Sequence, residues 1–214
     1  MDISHLSYAA PLLSLALLWT VAVVTPGPNF FNVAQLAANH SKRHGVVASL
    51  GVATGTVLWG LAGGLGIKSL FSAAPTLYLS FKIAGGCYLI YLGLKQFKRK
   101  PPLVADVSGA VGEEGRRTLL SVYGQGFLGN MTNPKAALFV ATIFATAMPA
   151  TVPPTLLALA VLTMATLSFS WYCSVALIFS SRRMARVYSR SRQWLDRFAG
   201  SCYLLFGAHL VTNR

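Results

Sequence analysis

Residues 25–29 read Thr25-Pro26-Gly27-Pro28-Asn29, and residues 130–135 read Asn130-Met131-Thr132-Asn133-Pro134-Lys135. Each stretch interrupts an apolar run long enough to cross a bilayer, the first over about residues 10–37 and the second over about 119–148. A proline inside a helix removes a backbone donor and clashes with the preceding turn. The residue before it avoids helical geometry. Two prolines flanking a glycine are enough to open the first run, and Asn133-Pro134 opens the second.

Four further apolar runs, about 44–67, 75–96, 154–180 and 194–212, bring the expected crossings to six, each near the ~20 residues a span requires. Composition agrees. Of 214 residues, 54% are hydrophobic and 11% charged, against about 25% charged in a soluble domain. Mean hydropathy is +0.57, and a water-soluble fold of this size could not hide so much apolar surface in one core. The net charge of +13 comes from 18 Lys and Arg against 5 Asp and Glu. No groove-reading module accompanies it, so nucleic acid is not the expected partner; the lipid bilayer is.

Fourteen of the 18 basic residues sit in three of the loops, and the opposite side has little beyond Lys68 and Arg214. Lys42 and Arg43 lie between runs one and two. Lys95, Lys98, Arg99, Lys100, Arg116 and Arg117 lie between three and four, and Arg182, Arg183, Arg186, Arg190, Arg192 and Arg197 between five and six. The positive-inside rule puts these loops in the cytoplasm and both termini outside. The first run is read as a retained span, because it lacks a basic n-region and an A-x-A-like cleavage site. Cys87, Cys173 and Cys202 all lie in apolar runs and form no C-x-x-C pair, which supports neither a zinc site nor a redox motif.

The segment at residues 98–118, with Pro101-Pro102, Gly109, Gly112 and Gly115, reads as a cytoplasmic linker. It separates a first three-helix unit, residues 1–97, from a second, residues 119–214. The units resemble each other: Ala84-Gly85-Gly86-Cys87-Tyr88-Leu89 matches Ala199-Gly200-Ser201-Cys202-Tyr203-Leu204 at five of six positions. Three crossings per unit turn the second upside down relative to the first. The expected fold is thus an all-α membrane protein of six transmembrane helices in two inverted three-helix repeats, with helices one and four broken at proline.

The breaks occupy equivalent places in the repeats. About 14 residues precede the first on the outer side and about 9 follow it; in the oppositely directed fourth run about 10 lie inside and about 13 outside. At 1.5 Å per residue both fall at one depth, somewhat cytoplasmic of centre. Backbone groups freed there must be buried in protein or line a polar cavity. A helix N-terminus follows each break, with Pro28 and Pro134 suited to the first helical position. Two positive dipole ends and the charge of Lys135 favour an anionic group, while open carbonyls before each break suit a cation or an ammonium group. A zwitterion such as an amino acid satisfies both. The expected path is Pro26, Gly27, Pro28, Asn29, Asn130, Asn133, Pro134 and Lys135. The plainer alternatives are structural kinks for the prolines, caps for the three asparagines and snorkelling for Lys135.

Gly51-x-x-x-Gly55 and Gly60-x-x-x-Gly64 in the second run read as helix-packing positions. The aromatics Trp59, Tyr88, Tyr91, Trp171, Tyr172 and Tyr203 are left open between interfacial belts and the cavity. The acids Asp2, Asp106, Glu113, Glu114 and Asp196 all lie in loops or at a span edge. A proton relay would have to use His209, a tyrosine or the substrate's own ionisation, and His209 reads as an interfacial residue.

The ordered set of Pro26-Gly27-Pro28-Asn29, Gly45 with Gly51-x-x-x-Gly55, Gly85 to Gly93, and Asn133-Pro134-Lys135 resembles the LysE/RhtB family of amino-acid exporters across essentially the whole chain. The resemblance implies six spans in the bacterial inner membrane. It also implies secondary efflux of amino acids or close derivatives, coupled to the proton gradient, with no cofactor, no metal and no enzymatic activity. Relatives in that family often carry an acid after the second glycine of the span-two series. Thr56 stands there, which leaves no carboxylate for a cationic substrate or a proton relay. A homodimer is compatible with this plan. Two other readings remain: a membrane thiol–disulfide carrier of similar 3+3 plan, which needs reactive cysteines beside the breaks, and a non-transporting membrane subunit, which needs no polar cavity there.

Overall fold

The computed structural model describes residues 4–73, 118–149 and 151–181, with single positions and short runs within 83–97 and 194–212. Among the described residues there is no strand. The helices are α1 (Ser4–Val24), α2 (Pro28–Asn39), α3 (Lys42–Ala73), α4 (Leu119–Met131), α5 (Pro134–Ala147) and α6 (Pro154–Phe179). The described positions within 83–97 and 194–212 are also helical. Within α3 the stretch Lys42–Gly66, and the whole of α6, are long and apolar enough to cross a membrane unaided. The α1–α2 pair qualifies as one span bent by 56° at its break. α4 and α5 are each shorter than a span and meet at Thr132-Asn133. Thr118 starts α4 by accepting a hydrogen bond from the Ser121 amide at 3.3 Å; the rest of the expected linker, and His209, lie outside the described residues.

α3 runs through the middle of the assembly and packs on α2, α4, α5 and α6. Its glycines make this approach geometrically available. A Cβ on Gly51 would overlap the Tyr123 carbonyl of α4, and one on Gly126 of α4 would overlap the Ala48 carbonyl of α3. The two backbones are thus in direct contact, the arrangement small residues permit between membrane helices. Further along α3, Gly60 lies on Val161, Gly63 on Val140 and Phe144, and Gly64 on Leu157. The helical positions near the two chain thirds' ends use the same device: Gly86 faces Gly207, and Gly93 faces Gly200. Since the higher number on one side meets the lower on the other, these two segments run antiparallel.

Two apolar clusters fill the interior. One holds Leu15, Trp19, Phe139, Phe144, Leu156, Met164 and Tyr203. The other holds Phe30, Val33, Val52, Val122, Tyr172 and Phe179. Leucines also cover the outside: Leu13, Leu65, Leu120 and Leu162 are each more than 60% exposed. In water such a surface would be a liability; against lipid chains it costs nothing, and it identifies the surroundings of the fold as a bilayer.

Candidate functional site

α1 ends at Val24, and Thr25 returns its amide and its hydroxyl to the Val21 carbonyl at 3.2 and 2.7 Å. Pro26 and Gly27 follow outside any helix, and Pro28 is the first residue of α2. Gly27 is extended (φ −151°, ψ −170°) and no side chain caps the α2 N-terminus. Any residue could adopt that backbone. An added Cβ would also fit, meeting Lys135 Cδ and Nζ at the ordinary contact distances of 3.5 and 3.6 Å, so the value of the position is its nearness to Lys135. At the second break Asn133 is the N-cap of α5, its Oδ1 accepting from the Lys135 amide at 3.0 Å, and Pro134 is the first helical residue. Both prolines therefore stand where the sequence placed them, each opening a new helix.

One contact joins the breaks. Lys135 Nζ donates to the Thr25 carbonyl at 2.7 Å. Burying an ammonium in a bilayer costs about 3 kcal/mol or more without compensation, and a charge-assisted bond to an oxygen with no helical partner supplies part of it. The side chain does not snorkel. The expectation of open carbonyls is corrected here: the oxygen before the first break holds the protein's own ammonium. At the second break the Asn130 carbonyl is also engaged, accepting from Trp59 Nε1 at 3.3 Å and from the Asn133 amide at 3.1 Å. In a low dielectric, freed acceptors find donors within the protein.

A chain of polar side chains runs between the breaks and the two uninterrupted helices. Trp19 of α1 donates through Nε1 to Ser168 Oγ at 2.9 Å and to the Met164 carbonyl at 3.0 Å of α6. Ser168 lies 3.4 Å from Thr56 Oγ1 of α3. Asn130 Nδ2 donates to Thr56 Oγ1 at 3.0 Å and to the Val52 carbonyl at 2.6 Å. Asn29 is in side-chain hydrogen-bonding contact with the Tyr172 hydroxyl. Trp19, Asn29, Thr56, Asn130, Ser168 and Tyr172 line a cavity of about 30 Å³, together with Ala22, Val23, Gly27, Asn133, Lys135, Ala136 and Phe139. That volume holds about two water molecules. On two of the lining residues a buried acceptor, Asn29 Oδ1 and Asn130 Oδ1, has no hydrogen-bond partner.

The structure thus gathers Gly27, Asn29, Asn130, Asn133 and Lys135 around one space, with Pro26, Pro28 and Pro134 shaping the chain beside it. Of the three asparagines only Asn133 is a cap. Trp19 and Ser168 were not singled out in the sequence. Trp19 lies in the apolar stretch ahead of the first break and Ser168 in the unbroken fifth run, and nothing in the spacing distinguishes them from residues facing lipid. Tyr172 and Trp59 resolve from the undecided aromatics into cavity lining and break support, whereas Tyr91 lies exposed beneath Lys95, whose Nζ is 5.6 Å from its ring centre. Tyr203 is buried and donates to the Val21 carbonyl at 3.2 Å.

The family described as LysE type translocator matches residues 20–214. The chain is similar to the threonine efflux protein of Escherichia coli K12, with 29% identity over 94% of this chain and 98% of that protein. It is similar also to the homoserine/homoserine lactone efflux protein of Salmonella typhimurium LT2, with 26% identity over 91% and 93% of the two chains. An uncharacterised membrane protein of Haemophilus influenzae is 29% identical over 94% of this chain and 96% of its own length. No solved structure matches.

Proposed function

The chain belongs to the LysE type translocator family, and from that premise we propose that it is a secondary exporter of amino acids or small amino-acid derivatives across the bacterial inner membrane. The observation that carries the reading is the meeting of the two proline breaks at one small space lined by the buried polar side chains Asn29, Thr56, Asn130, Asn133 and Ser168, with Lys135 reaching from the second break to the Thr25 carbonyl of the first. The uncapped N-terminus of α2 and the Lys135 ammonium suit a carboxylate, and the amide oxygens opposite suit a donor. A space of about two waters is a contracted form of such a site; an amino acid needs it wider, with Lys135 drawn away from Thr25.

The six-span inverted plan completes the mechanism. Antiparallel contact of Gly86 with Gly207 and Gly93 with Gly200 supports a two-fold relation between residues 1–97 and 119–214. Rocking of one repeat against the other would expose the break region alternately to each side. Basic loops in the cytoplasm and both termini outside give the orientation, and the proton gradient drives export. The thiol–disulfide reading is not favoured, because the three cysteines are free and none lines the cavity.

Cells loaded with dipeptides and expressing the protein test this. Wild type should lower the intracellular content of at least one released amino acid, and Lys135→Ala should cut that efflux by about tenfold or more. Equal accumulation of all common amino acids with and without the protein would sink the exporter reading for those substrates.

A further inference from the structure

The reading above leaves open what recognises the amino group. In most proteins an ammonium is met by a carboxylate, yet no Asp or Glu occurs in α1–α6. Recognition of a cation here must therefore use neutral oxygens. Two are in place. Asn29 and Asn130 are 5% and 2% exposed, both line the cavity, and the Oδ1 atom of each has no hydrogen-bond partner. Buried acceptors are almost always satisfied, so a pair left open at one cavity calls for an explanation.

The orientation of the Asn130 amide is fixed by its surroundings. Its nitrogen donates to the Val52 carbonyl, which can only accept, so the oxygen is the end left without a partner. The two asparagines come from different halves of the chain, one just after the first break and one just before the second. Beside them the Thr25 carbonyl already holds an ammonium, that of Lys135, at 2.7 Å. The Thr25 carbonyl at the first break thus already accepts this chemical group from a residue that lines the cavity.

We propose that Asn29 Oδ1 and Asn130 Oδ1 form the subsite for the substrate's α-ammonium, and that they set the preference of the carrier for amines over their deaminated analogues. The subsite rests on the exporter reading. An –NH3⁺ brings three donors, enough for both amide oxygens and for the Thr25 carbonyl once Lys135 leaves it. Lys135, released, faces the substrate's carboxylate. A 2-hydroxy acid of the same skeleton brings one donor and no charge to these oxygens, and leaves at least one of them empty. Sites built around such donors reject the analogue lacking them strongly.

The test uses the full chain reconstituted in liposomes, with efflux of labelled L-threonine and L-homoserine and competition by the 2-hydroxy analogues of each. Wild type should prefer the amine by about a hundredfold or more. Asn29→Leu, which keeps the branched shape and removes the amide, should bring that ratio to within about tenfold of unity, chiefly through a higher KM for the amine. Asn29→Asp, which keeps the oxygen and adds charge, should hold or raise the ratio. A wild-type protein that transports both labelled amino acids and their hydroxy analogues equally well overturns the subsite while leaving the exporter intact. So does an Asn29→Leu protein with the wild-type ratio, or, if that variant does not insert, an Asn29→Asp protein whose ratio falls. Transport of neither amino acid by wild type removes the exporter reading for these substrates, and the subsite with it.

Discussion

Lys135 and Asn130 show how single side chains hold the centre of this protein. Lys135 spans from α5 to the open carbonyl of Thr25, and Asn130 ties α4 to α3 through the Val52 carbonyl and Thr56. Replacing Asn130 by Leu removes both donors from a site that is 2% exposed. Stranding buried partners costs about 1–3 kcal/mol, so Asn130→Leu should lower the unfolding temperature of the detergent-solubilised protein by several degrees. An unchanged melting temperature would show that the amide does no structural work. Lys135 was legible in the sequence because a charge ten residues from a span end has few explanations. Its partner was not: a backbone carbonyl has no letter, and only the fold brings residue 25 within reach of residue 135. The same holds for Ser168, an unremarked polar residue in an apolar helix until Trp19 and Thr56 are seen beside it.

At the scale of elements, the breaks were the most legible feature, because proline acts through local geometry that no tertiary contact can cancel. The same local chemistry put Pro28 and Pro134 at first helical positions. What local chemistry could not give was the fate of the freed backbone groups, which depends on neighbours: Asn133 caps one N-terminus and the other has no side-chain cap. The glycines of α3 were legible as packing positions, and the direct backbone contact of α3 with α4 at Gly51 and Gly126 is their use. If the first break serves transport and not stability, Pro26→Ala combined with Pro28→Ala should let α1 and α2 run on as one helix. Each interior proline removed favours the helix by about 3 kcal/mol. The doubly substituted protein should therefore insert normally, melt no lower than wild type, and export at background level. Export at the wild-type rate would mean that the bend alone, held by tertiary contacts, is sufficient.

At the scale of the whole molecule, the proposed exporter requires that two breaks from opposite halves build a single substrate site. The apolar periodicity, the leucine-covered exterior and the family match agree on a membrane transporter. The proposed repeat rests on the six-residue match between residues 84–89 and 199–204, in which one glycine recurs at the same position. Which helices touch was beyond the sequence, since apolar runs carry little information about their neighbours. The claim can be tested by placing one reporter in each half. Ala22 of α1 and Ala136 of α5 both line the cavity. In a protein with Cys87, Cys173 and Cys202 replaced by serine, Ala22→Cys and Ala136→Cys would each be reacted with a small water-soluble thiol reagent, with and without saturating transported amino acid. The account predicts that substrate slows modification at both positions by about tenfold or more. Protection at only one position, or at neither, while transport is retained would contradict a shared site between the breaks.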